Sequence, residues 1–124
     1  MSIDVSAFEK VQAQLQGLFD EVGTLSKKKP DDAINKFKLK IINPILAEAN
    51  KLLTEEYKPF SDFEQFDEDS LPTNSDTVMV LSQYLNCLEK LRADNIMLYG
   101  AAWYWMKKGI RSDIRTAPPK KITW

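Results

Sequence analysis

None of the 124 residues of this chain is histidine. That removes the commonest general base near neutral pH, the Ser-His and Cys-His nucleophilic pairs, and the usual zinc and di-iron ligand sets. Carboxylates remain available for acid–base work or Mg²⁺ binding, but Glu48, Glu55 and Glu56 fall on polar positions of a helical pattern and read as a solvated face. Between Asp62 and Asp69 stand five Asp or Glu residues with no Lys or Arg. The stretch lacks the glycine and terminal glutamate spacing of an EF-hand, so it reads as an acidic pole, solvated or turned toward a basic partner. Cys87 is the only cysteine, which excludes an intrachain disulfide and a multi-cysteine metal site and fits a reducing, cytoplasmic compartment. With no base beside it in sequence, it reads as a packed thiol. The four glycines are scattered, so no phosphate-cradling loop is present. The expectation is a protein that is not an enzyme and carries no cofactor and no metal.

Cations concentrate near the C-terminus. Lys107, Lys108, Arg111, Arg115, Lys120 and Lys121 are opposed there by Asp113 alone, and Trp105 and Trp124 lie beside them. Such a set could hold phosphates and stack on bases, with binding that weakens steeply in salt. A helix C-terminus also attracts lysine and arginine for ordinary dipole reasons. The segment Thr116 to Trp124, pre-extended by Pro118 and Pro119, could instead dock in a partner groove with Trp124 as its anchor. Lys36, Lys38 and Lys40 alternate and do not share one helical face. The net charge of -1 gives the whole chain no attraction to nucleic acid or to an anionic membrane.

The elements that would position these groups read as helices. Phe8, Val11, Leu15, Leu18, Val22 and Leu25 recur at alternating spacings of three and four, a narrow stripe resembling a coiled-coil seam, with Asp4 or Ser6 as its cap. Gly17 and Gly23 weaken that helix by about 1 kcal/mol each relative to Ala, so packing must hold it. Pro30, Asp31 and Asp32 signal a second helix, with Ile34, Phe37, Ile41, Ile42, Ile45, Leu46, Ala49, Leu52 and Leu53 on its apolar face and a kink at Pro44, near Asn43. Phe60, Phe63 and Phe66 pin down an ordered acidic loop. Asn74, Ser75 or Asp76 then caps a long third helix running to about Gly109, whose seam is Leu81, Tyr84, Leu88, Leu91, Asn95, Leu98, Ala102 and Trp105. Asn95, polar within this seam, reads as a marker of register.

At 1.5 Å per residue the three helices would measure on the order of 33, 39 and 52 Å, so the third would overhang its partners by about two or three turns. The overhang, Tyr99 to Met106 and including Trp103, is apolar or aromatic in nearly every direction, and a helix of that kind is buried on all sides. A second chain is the simplest cover, and the tail folding back within one chain is the alternative.

The sequence therefore predicts an all-α fold, an antiparallel three-helix bundle over residues 1–110 with an extended basic tail over 111–124. Its expected function is that of a self-associating interaction, adaptor or regulatory module with a protein partner, and the alternative is a nucleic-acid-binding accessory protein. Clustering of the basic residues on one face favours the second; pairing of the tail with a neighbour's acidic loop favours the first. The N-terminal residues do not read as a secretion signal, and the longest nearly apolar run, Ile96 to Met106, is too short to span a bilayer, so no membrane contact is expected.

Overall fold

The computed structural model describes residues 3–121 and contains three helices followed by a three-stranded antiparallel sheet. The helices are α1 (Val5–Lys28), α2 (Lys36–Tyr57) and α3 (Asn74–Ala93), and the strands are β1 (Ile96–Tyr99), β2 (Ala102–Lys107) and β3 (Ile110–Thr116), paired in the order β1-β2-β3. The fold is α+β. The expected all-α bundle with its coiled-coil seam and long third helix is corrected by these strands.

Helix α1 follows its apolar stripe. Asp4 caps it by accepting from the Ala7 amide at 3.0 Å, and Phe8, Val11, Leu15 and Val22 are buried. That stripe packs on α3 and α2 within one globular core instead of winding into a supercoil. Helix α2 begins at Lys36, not at Pro30. Asn35 caps it by accepting from the amides of Phe37 and Lys38, while Ala33 forms an isolated bridge with Thr73. The backbone keeps helical φ/ψ through Pro44, and the break in helical geometry falls at Thr54, at φ 57°. Pro44 is exposed, as is Lys40, whose carbonyl loses its helical donor, and the burial of Leu39, Ile42 and Leu46 on both sides keeps the helix continuous.

The stop of α3 sets the rest of the fold. Asn95 Nδ2 donates to the Leu91 carbonyl at 2.8 Å, and the Asn95 amide donates to the Arg92 carbonyl, so two of the helix's unpaired terminal acceptors are satisfied by one residue. The Asn95 carbonyl accepts from the Met106 amide at 2.8 Å, a bond to the strand β2. Asn95 is thus the hinge between helix and sheet, not a register marker inside a longer helix.

The two hairpins turn on glycines. Tyr99 pairs with Ala102 around Gly100 and Ala101, with positive φ at Gly100 only, as a type II′ turn requires. Lys107 pairs with Ile110 around Lys108 and Gly109, both at positive φ, as a type I′ turn requires. The register of β2 and β3 shifts between Tyr104 and Met106, and there Ser112 bridges the irregularity: its hydroxyl donates to the Trp105 carbonyl at 2.6 Å and accepts from the Ile114 amide.

Opposed residues of an antiparallel pair share a face. Ile96 and Trp105 therefore face the helices, with Trp103 and Ile114 packed against the core beside them. Trp105 is fully buried, its ring edge-on to Phe8 at 5.1 Å, and its indole N–H meets no acceptor among the described residues. The aromatic run that called for a second chain is in large part covered within its own chain.

Candidate functional site

The outer face of the sheet carries Met97 opposite Tyr104, Tyr99 opposite Ala102, Met106 opposite Arg111, and Tyr104 opposite Arg115. Two tyrosines and two arginines thus meet on one surface. The Arg111 guanidinium lies 4.2 Å from the centre of the Tyr99 ring and 5.1 Å from that of Tyr104, and Arg115 lies 5.8 Å from Tyr104. The two rings stand 6.4 Å apart at 75°. Tyr99 is 57% exposed. Cation–π contacts at such exposed positions are worth about 0.5–1 kcal/mol each, weak enough for a ligand to replace them. Asp113, 3.9 Å from Arg111 and fully exposed, is the carboxylate of this strand.

Charge is segregated along the chain. Residues 1–93 hold eleven Lys or Arg against sixteen Asp or Glu, and residues 94–124 hold six against two. The structure divides those six. Arg111 and Arg115 lie on the outer face, Lys108 sits in the β2–β3 turn at its end, and Lys107, opposite Ile110, falls on the other side of the strand. Lys120 and Lys121 run elsewhere, along a groove of about 450 Å³ between α1 and α3 that is also lined by Glu9, Gln12, Gln16 and Glu89.

The described part of the tail is held on α3. Arg92 donates to the Thr116 hydroxyl, to the carbonyls of Ala117 and Pro118, and to Glu89, whose carboxylate also accepts from the Lys120 amide at 2.9 Å. Residues 111–116, expected in an extended tail, belong to β3. Trp124 lies outside the described residues.

The expected interface seam is divided as well. Leu81, Tyr84, Leu88 and Leu91 are buried in the core of their own chain. Asn95 caps α3. Leu98 and Tyr99 belong to β1, and Ala102, Trp103, Trp105 and Met106 to β2, where Leu98 is 54% exposed and Trp105 is buried.

A second group of ionisable side chains lies where α2 ends beside α3. The Tyr57 hydroxyl donates to Asp94 at 2.7 Å, and Lys90 approaches the other carboxylate oxygen at 3.2 Å. The hydrogen bond to Asp94 pushes the Tyr57 hydroxyl up to about 12, and the same bond, with Lys90, holds the Asp94 carboxyl below its ordinary range. Cys87 lines the same pocket, and burial pushes its thiol up, away from the thiolate that nucleophilic chemistry needs. Among the described residues, no group of three or more His, Cys, Asp or Glu side chains is placed to hold a metal ion, and no helix is long and apolar enough to cross a membrane.

The acidic loop is fixed from beneath by two asparagines of α2. Asn43 exchanges two 2.9 Å hydrogen bonds with the backbone of Phe66, and Asn50 donates to the Glu64 carbonyl while accepting from the Tyr84 hydroxyl. Phe60, Phe63 and Phe66 pack edge-on in series, Phe60 against Tyr84 as well. Its carboxylates are presented outward on a rigid base.

No protein-family model, curated protein or solved structure matches this chain. The sequence reading puts Tyr99 and Tyr104 on a helical overhang and Arg111 and Arg115 on a separate extended tail, and it does not single out Met97. The available signal was the pair of glycine-containing two-residue turns, Gly100-Ala101 and Lys108-Gly109, flanking an aromatic run of strand-favouring residues.

Proposed function

We propose that this chain is a non-catalytic binding module that engages a polyanionic macromolecule through the outer face of its C-terminal sheet. One observation carries the reading: Arg111 and Arg115 converge on Tyr99 and Tyr104, with Lys108 at the adjacent turn, in the cationic part of an otherwise acidic chain. Arg111 and Arg115 share one surface with Lys108 at its end, and the tail that might have paired with an acidic loop is tied to α3 instead. The helical overhang that called for a second chain does not exist, so the reading rests on the sheet alone. The acidic remainder of the molecule repels a polyanion and orients it toward this face.

Catalysis has little support. The sequence offers no histidine, and Cys87 and Tyr57 are both held in their protonated forms near neutral pH.

Binding to heparin and to duplex DNA, followed across a salt titration, tests the proposal. The affinity should fall linearly with salt on logarithmic axes, and Arg111→Ala with Arg115→Ala should reduce the slope by about one per lost contact. Absence of binding to either polymer at low salt, or binding indifferent to both arginines, refutes it.

A further inference from the structure

Charge alone explains Lys108, Arg111 and Arg115. It does not explain why two tyrosines stand among them on the solvent side of the sheet, one more than half exposed, where a polar or charged residue costs nothing. Building on the polyanion reading, we infer that the polyanion is a single-stranded nucleic acid whose unpaired bases stack on Tyr99 and Tyr104 while its phosphates lie along Arg111, Arg115 and Lys108.

The geometry fits such a strand in three respects. First, the rings lie on neighbouring strands 6.4 Å apart, at 75° to each other, so they do not stack on each other, and a base that replaces a weak cation–π contact gains a ring of its own. Second, Arg111 lies within reach of both rings, 4.2 and 5.1 Å from their centres, where its guanidinium can turn from a ring to pair with a phosphate or stack on the incoming base. Third, Met97 and Met106 flank Tyr104 on the same face and give it a polarizable, adaptable apolar floor. A duplex keeps its bases stacked and offers this face only phosphates. An acidic protein surface likewise engages the cations and leaves the rings unused.

Fluorescence anisotropy with short labelled strands of mixed sequence, as DNA and as RNA, measured beside the same sequences as duplexes and beside heparin, tests the inference. The single strands should bind at least about 10-fold more tightly than the duplexes at equal salt. Tyr99→Ala together with Tyr104→Ala should weaken single-strand binding by about 30-fold or more and change heparin binding by less than about 3-fold. Tyr99→Phe with Tyr104→Phe should retain single-strand affinity, since stacking needs the ring and not the hydroxyl. Tyr99→Ala alone, at an exposed position, guards against loss of the sheet and should give part of the same loss. Equal affinity for single strands and duplexes, indifferent to the tyrosine replacements, overturns this inference and leaves a charge-reading module. Failure to bind heparin, duplex and single strand alike overturns both.

Discussion

Glu89 and Arg92, three residues apart on α3, meet fork to fork, with Arg92 Nε 2.9 Å from Oε1 and Nη2 2.8 Å from Oε2, and the two side chains are only 7% and 4% exposed. Arg92 has five N–H donors and places all of them: two on Glu89, and one each on the Thr116 hydroxyl, the Ala117 carbonyl and the Pro118 carbonyl. A buried guanidinium is tolerated because none of its hydrogen-bonding capacity is left unused. Through it the end of β3 and the basic segment behind it are fastened to the helical layer, which fixes the orientation of the sheet's outer face.

Removing one member of this pair leaves the other buried and uncompensated. Arg92→Ala should destabilise the fold by about 3–5 kcal/mol, read as a lower urea midpoint. Glu89→Leu combined with Arg92→Leu should cost less than Arg92→Leu alone, because no charge is then stranded. Additive losses in that cycle would contradict the clasp.

Asn43 is 2% exposed and makes both of its hydrogen bonds to the Phe66 backbone. Asn43→Ala should cost about 2–3 kcal/mol and expose the acidic loop to proteolysis between Phe60 and Leu71. Unchanged cleavage rates in the variant would show that the phenylalanines hold the loop without it.

The β2–β3 turn places Lys108 at φ 53° and Gly109 at φ 76°. A residue tolerant of the left-handed region should relieve the first position, so Lys108→Asn, creating the favoured Asn-Gly turn, should stabilise by about 0.5–1 kcal/mol. Gly109→Ala should destabilise by about 1–2 kcal/mol from backbone conformation, since an added Cβ has open space around it. Thermal midpoints of the two variants should move in opposite directions.

Tyr57 and Asp94 make stability depend on pH at both extremes. Raising a hydroxyl from 10.0 to about 12 on folding contributes stability that is complete below pH 10 and lost as pH rises toward 12. Asp94, held below its usual 3.8, contributes stability present above that value and lost as pH falls through its depressed range. Tyrosinate absorbance should show a late-titrating tyrosine that returns toward pH 10 in Asp94→Asn, and Tyr57→Phe should flatten the stability profile between pH 10 and 12. A wild-type profile already flat in that range would remove the coupling. Tyr84, raised by burial, should also titrate late but should not respond to Asp94→Asn.

The helical layer could be read from the sequence because its determinants are local. Apolar residues spaced three and four apart mark one side of a helix, Asp4 or Ser6 can cap its start, Lys27–Lys29 favour its end, and α1 runs between them. The ordered acidic loop follows from Phe60, Phe63 and Phe66, and the cap of α3 is Thr73, one to three residues before the Asn74, Ser75 and Asp76 that the sequence offers. The stretch from Ile96 to Met106 was ambiguous on the same terms. Its residues are apolar on every side, which suits a helix buried all round and a strand in a hairpin equally, and the three-and-four spacing of α3 can be continued through it. Tertiary structure resolved the ambiguity: Asn95 closes α3 with its side chain, Trp105 finds Phe8, and two glycine turns pair the strands. The meeting of Tyr99 with Arg111, twelve residues apart, depends on strand register. Only the completed sheet could bring the candidate site together.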